Sequence, residues 1–206
     1  MRFVIRTPAH RVFDESPATL KLLKAAKQVF LRSGDSTFTM RNVAKEAGIS
    51  VGAVQHYYPS RDQLVAAMLE YVVNDYEDAY ERVFKTLPFN GEARLLGALD
   101  YLASDLCDQE TRQFFFALWA LGCHNKFAAA LVDEMYWHHC RNLASFIGAA
   151  RPGFTEQECF DAATKIAAMI EGLMIFTGAR TKHALSRTSV TRMVRTAVVK
   201  LLEAAS

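Results

Sequence analysis

Residues 38–61 read FTMRNVAKEAGISVGAVQHYYPSR, and the fold follows from this stretch. Thr39 is placed to cap a helix, because its hydroxyl accepts from a free backbone N–H one turn in. Met40, Val43, Ala44 and Ala47 recur at helical spacing and make one apolar face. Gly48 stands where a left-handed C-terminal cap wants a residue without a Cβ. Ser50 caps a second helix that carries Val51, Val54 and Tyr58 inward, and Pro59 stops it. The small residues Ala44, Ala47, Gly52 and Ala53 let the two helices cross closely. Two short helices around a tight turn make a helix-turn-helix, whose second helix enters the DNA major groove.

The same stretch resembles the DNA-binding segment of TetR-type transcriptional repressors. The resemblance is carried by Thr39, Val43-Ala44, Ala47-Gly48-Ile49-Ser50, Gly52, Tyr58, Arg61 and Leu64, in order and with every gap matched. Gln55 departs from the pattern, standing where many members carry Tyr. The run Gln55-His56-Tyr57-Tyr58 is closer to the BetI-like branch. The motif covers about a quarter of the chain; beyond it the likeness is one of helix pattern.

Charge separates along the chain. Residues 1–60 hold nine Lys/Arg against four Asp/Glu, and residues 61–206 hold fifteen against eighteen. Basic charge therefore gathers at the helix-turn-helix end, as phosphate binding requires. Cys107, Cys123, Cys140 and Cys159 form no CxxC pair and sit in apolar helical contexts, so reduced thiols in a cytoplasmic protein are expected. No segment is long and apolar enough to span a membrane, and the run Phe3-Val4-Ile5 is too short for a signal peptide.

Outward from the motif, residues 1–15 read as an extended or unstructured arm in which Pro8 argues against a helix and Arg2, Arg6, His10 and Arg11 supply charge. Ser16 and Pro17 open a helix to Ser33, and Gly34 ends it. Phe38 is expected against Phe30. Ser60-Arg61-Asp62-Gln63 is a capping box opening a long helix to about Leu87. After the break at Pro88–Gly91, helices are expected over 92–106, 110–124, 126–149, 155–177 and 189–204. The run QFFFALWALG is apolar almost all round, which suits the middle of a bundle. Strand-like alternation is absent. The chain reads as all-α: residues 1–60 a three-helix head, residues 61–206 a helical bundle for ligand binding and dimerisation.

Within the motif, Val51 and Ala53 suit a thymine methyl, Gln55 suits adenine N6 and N7, and His56 a purine N7. Thr39, Arg41 and Ser50 lie at helix starts, where a free N–H and a hydroxyl hold phosphate, and Arg61 suits the same role. The resemblance places Tyr57 at phosphate and Tyr58 in the core, and includes Gly52 in the DNA-binding set. In the bundle, Phe115, Trp119, Met135, His138 and Met169 are either plain core or the lining of an effector pocket, which the resemblance implies. Glu171, inside AAMIEGLMIF, meets a cationic ligand, pairs across a subunit interface, or faces water. His138 and His139 diverge by about 100° on a helix and cannot clamp one metal ion.

Gly172, Ile175, Phe176, Val194, Val198 and Leu201 supply close approach and apolar area for a dimer, or close the chain's own core; the resemblance favours the dimer. A two-fold pair of heads would read a palindromic operator. The function expected is a transcriptional repressor released from DNA by a small molecule, with no cofactor and no catalytic constellation. The alternative is a helix-turn-helix architectural or nucleoid factor without ligand control.

Overall fold

Ser16 Oγ accepts from the Thr19 amide at 3.3 Å and Pro17 takes the first helical position, so α1 (Pro17–Ser33) starts where the cap pattern puts it. The computed structural model describes residues 16–34, 38–87, 90–178 and 184–204. The arm, the turn 35–37 and residues 88–89 lie outside them. Among the described residues the helices that follow are α2 (Met40–Ala47), α3 (Val51–Tyr57), α4 (Arg61–Thr86), α5 (Gly91–Asp105), α6 (Gln109–Gly122), α7 (Lys126–Ala150), α8 (Glu156–Met174) and α9 (Arg187–Ala204), with no strand. Their ends lie within about three residues of the periodicity-based reading, the usual fraying of helix termini.

The chain divides into two compact units. The first comprises the chain up to Ala79 together with Gln113–Asp133, and the second Tyr80–Arg112 with Glu134 onward. Helices α4, α6 and α7 contribute residues to both.

In the first unit Leu22, Leu23, Ala26 and Phe30 of α1 are buried with Phe38, Val43, Ala44, Ala47, Val54, Leu64 and Met68. Phe30 meets Phe38 edge-on at 6.2 Å between ring centroids and Phe114 of α6 at 6.1 Å, so one ring joins the head to α6. Arg32 of α1 pairs with Glu46 of α2 at 2.7 Å, which engages a side chain expected to be available to phosphate. The apolar run on α6 buries one face only: Phe114, Phe115, Leu118 and Leu121 are inside, but Phe116 is exposed. An apolar residue is not thereby a buried one, since most protein surface is itself apolar.

In the second unit α9 lies against α5 and α8. Val190, Val194, Val198 and Leu202, four apart, form the buried ridge of α9. Arg195 forks onto Asp100 beside it. Gly91 permits a close approach: a Cβ there would fall 2.2 Å from the Ala149 carbonyl oxygen at the end of α7. The start of α8 carries the reciprocal cap, with the Glu158 amide on Thr155 Oγ1 and the Thr155 amide on Glu158 Oε2. Its end falls at Met174 rather than Thr177, where the Thr177 hydroxyl donates to the freed Met174 carbonyl at 2.9 Å.

Candidate functional site

The caps fix the geometry of the head. Thr39 Oγ1 accepts from the Asn42 amide and Ser50 Oγ from the Ala53 amide, each at 3.1 Å. Gly48, at φ 68° and ψ 37°, makes the left-handed turn between α2 and α3, a conformation that costs a Cβ-bearing residue about 1–2 kcal/mol. The capping box is formed at Ser60 and Gln63, at 3.1 and 3.2 Å.

Only Val54 of α3 is buried. Val51, Gly52, Gln55 and His56 are exposed, while Ala53 and Tyr57 are half-buried. Positions 51 and 55, and 52 and 56, are each one helical turn apart, so the four residues make one continuous outward face. The expectation that Val51 packs inward is corrected: it is 37% exposed. Gly52 was expected to serve helix crossing, yet a Cβ there meets nothing nearer than Ser50 Oγ at 3.9 Å. Its missing side chain leaves room on the outward face and does no work in the interior.

Thr39, Arg41 and Ser50 are exposed at the helix starts. Arg61 is held differently. Its Nε donates to the Phe38 carbonyl at 2.9 Å and its guanidinium lies 5.8 Å from the Phe38 ring. It therefore locks the start of α4 to the entry of α2. The Tyr57 ring meets His56 edge-on at 5.6 Å.

The second unit holds a polar cluster whose members come from five helices. Tyr80 of α4 meets Tyr101 of α5 edge-on at 5.3 Å and lies 6.4 Å from the His139 ring of α7. Tyr136, also of α7, is 6.5 Å from the same imidazole. Asp105 of α5 accepts from the Tyr80 hydroxyl at 3.5 Å and from the Thr111 hydroxyl of α6 at 3.4 Å. Glu171 of α8 takes a hydrogen bond from Tyr136. The Glu171 Oε2 and His139 Nε2 atoms are buried with no hydrogen-bond partner.

Burial pushes Glu171 up to about 7, against the opposing Tyr136 hydrogen bond. It also raises Asp105, opposed by the Thr111 and Tyr80 hydroxyls, and lowers His139 to about 4. Of these residues only Glu171 stood out in sequence, as an acid in an apolar run.

Residues 22–68 match the family profile of bacterial regulatory proteins of the TetR family, and residues 91–203 match the BetI-type transcriptional repressor C-terminal profile. The chain belongs to the TetR family. It is a DNA-binding transcriptional regulator, all-α, with an N-terminal helix-turn-helix. Among curated relatives, the regulator BetI 2 of Chromohalobacter salexigens is 24% identical over 185 residues, spanning 88% of this chain and 87% of that one. The regulator PksA of Bacillus subtilis is 25% identical over 134 residues, 65% of each chain. A solved transcriptional regulator from Pseudomonas aeruginosa shares the fold at a TM-score of 0.78, with 22% identity over 90% of this chain and 89% of that one. A regulator from Saccharomonospora viridis, solved in complex with choline, aligns at 0.71 with 19% identity over 89% and 94%.

The expected effector-pocket residues of this TetR-family chain fall in different places. Phe115 and Trp119 belong to the first unit, with rings 6.0 Å apart, and Phe115 is buried against Tyr76 at 5.4 Å. Met135, His138 and Met169 belong to the second and are half-buried. His138 pairs with Glu134 at 3.1 Å, while its neighbour His139 carries a buried nitrogen, as adjacent helix positions diverge.

The expected dimer residues also separate. Val194 and Val198 are buried within the single chain, on the ridge of α9, so they are not available to a partner. Leu201 and Gly172 are half-buried, while Ile175 and Phe176 are 60% and 52% exposed. No helix among the described residues is long and apolar enough to cross a membrane.

Proposed function

We propose that the chain is a homodimeric repressor whose α3 reads an operator and whose second unit senses a small effector. The observation that carries the DNA reading is the outward face of Val51, Gly52, Gln55 and His56, flanked by exposed Thr39, Arg41 and Ser50. Gln55 and His56 supply direct readout, Val51 and Ala53 apolar contact, and Thr39, Arg41, Ser50 and Tyr57 backbone contact. Arg61 acts through the seating of α4 against Phe38, and its free guanidinium edge remains available to phosphate.

Titration of operator variants tests this assignment. Gln55→Ala is expected to lose about 1–3 kcal/mol of discrimination at one base position, while retaining salt-dependent binding to unrelated duplex. A variant with an unchanged base preference at every position would remove Gln55 from the reading face.

Dimerisation is supported by Ile175 and Phe176, large apolar side chains left exposed beside Gly172, where a Cβ would meet nothing within 4 Å. Phe176→Asp is expected to give a monomer in sedimentation analysis and to weaken operator binding at least tenfold, because two linked heads bind more tightly than one. A dimer that survives this change at micromolar concentration would move the interface elsewhere.

Effector control is supported by the polar cluster in the second unit and by the BetI-type match over residues 91–203. The ligand shifts a population between DNA-competent and released states, which requires that it bind the two unequally. The choline complex of the Saccharomonospora viridis neighbour supports a small-molecule site in a bundle of this fold.

A further inference from the structure

Five helices bring two carboxyl groups, three tyrosines and one unprotonated histidine into one buried cluster. Among the described residues neither Asp105 nor Glu171 has a Lys or Arg at ion-pair distance. The nearest cation acting on Asp105 is Arg187, whose guanidinium is engaged by Ser104 Oγ at 2.9 Å. A buried carboxylate without a counter-charge is costly, and here there are two, with Glu171 Oε2 and His139 Nε2 left over as unused polar atoms.

The aromatic faces around them attract positive charge. An anion would meet two acids, and no group of three metal ligands is gathered among the described residues. We propose that Tyr80, Tyr101, Asp105, Tyr136, His139 and Glu171 form the effector site and that it takes a small organic cation, with the ammonium against Glu171 and the tyrosine rings. The proposal rests on the reading of the second unit as the effector sensor.

Proton exchange follows from this arrangement. In the empty site Glu171 holds a proton up to about pH 7, because burial raises it. A cation favours the ionised form, so binding below that pH expels the proton. Affinity therefore falls as pH drops below about 7, by up to about tenfold per unit, and levels off above it. Asp105, raised by burial and tempered by Thr111 and Tyr80, acts in the same sense. His139, lowered to about 4, stays neutral over this range and adds no opposing charge. The tyrosine hydroxyls are neutral throughout.

Calorimetric titration of the full chain with tetramethylammonium, choline and benzyltrimethylammonium, each beside its uncharged carbon isostere, tests the site. Titrations are run at pH 6 and pH 8 in two buffers of different ionisation enthalpy. At least one cation is expected to bind at least ten times more tightly than its isostere. Its affinity should rise about tenfold from pH 6 to pH 8, with proton release at pH 6. Glu171→Gln should lose both the pH dependence and at least tenfold in affinity, with Tyr136→Phe giving a smaller loss of the same kind. Binding by none of the three cations, equal binding of the isostere, or a flat pH profile would overturn the proposal. The wild-type proton count decides the matter even if Glu171→Gln does not fold. Operator titration separates the two readings: a cation that binds without altering operator affinity defeats effector control and leaves the site. Release of operator by an uncharged compound that cations do not displace defeats the cation site and leaves effector control.

Discussion

Gly52→Glu is expected to abolish operator binding while leaving the protein at least as stable as before. The stability side follows from position. Gly52 is the second residue of α3, it is exposed, and an added Cβ meets only Ser50 Oγ at 3.9 Å. Replacing Gly inside a helix recovers up to about 1 kcal/mol of backbone entropy. The first turn of α3 holds no acidic residue, so a carboxylate there gains about 0.3–1 kcal/mol from the helix N-terminus. The binding side has the opposite sign. The same carboxylate projects from the face that carries Val51, Gln55 and His56, into the space that base edges and phosphates must occupy. A loss of at least about 100-fold in operator affinity is expected, equivalent to about 2.7 kcal/mol. Thermal unfolding and operator titration at one salt concentration check both halves. A raised melting temperature with unaltered affinity would show that α3 does not face DNA.

This separation of stability from binding was legible in the sequence only in part. The head could be read because its determinants are local: Thr39 and Ser50 as caps, Gly48 as the turn, Ser60 with Gln63 as a box. Each acts over three or four residues, and each stands where the spacing puts it. Val51 was misread because apolar character was taken as burial. On a helix of seven residues with only Val54 buried, the rest of the apolar content is surface.

The polar cluster was illegible for a different reason. Tyr80, Asp105, Tyr136 and Glu171 are far apart in sequence and meet only through the packing of α4, α5, α7 and α8. Nothing in the pattern around Asp105 or His139 marks them. The aromatic and methionine residues that did attract attention divide between two units, because helical spacing reports which residues share a face and not which faces meet. α9 shows the same limit. Its stripe was read through Met193 and Leu201, but the buried ridge runs through Val190, Val194, Val198 and Leu202, leaving Met193 exposed at 43%. A shift of one residue around a helix turns a dimer stripe into a core.

Phe38→Ala is expected to destabilise the first unit by about 3–5 kcal/mol, the usual cost of removing a fully buried aromatic ring. Phe38 is 1% exposed, and its ring has two partners. Phe30 meets it edge-on at 6.2 Å, and the Arg61 guanidinium lies 5.8 Å from it. The first contact connects the entry of α2 to α1, and through Phe30 to Phe114 at 6.1 Å. The second connects the entry of α2 to the start of α4. Alanine keeps the backbone carbonyl that accepts from Arg61 Nε at 2.9 Å, but leaves a cavity where both connections pass. With whole-domain stability on the order of 5–15 kcal/mol, such a loss is a large share of the total. Amide exchange in α1, α2 and α3 should accelerate sharply, and operator binding should fall because the outward face of α3 is no longer held in place. Phe38→Leu, which fills most of the volume, should lose no more than about 1.5 kcal/mol and retain binding. Unchanged exchange rates across α1–α3 in the alanine variant would mean that the head is held by α4 alone, and that the ring of Phe38 fills space without joining its neighbours.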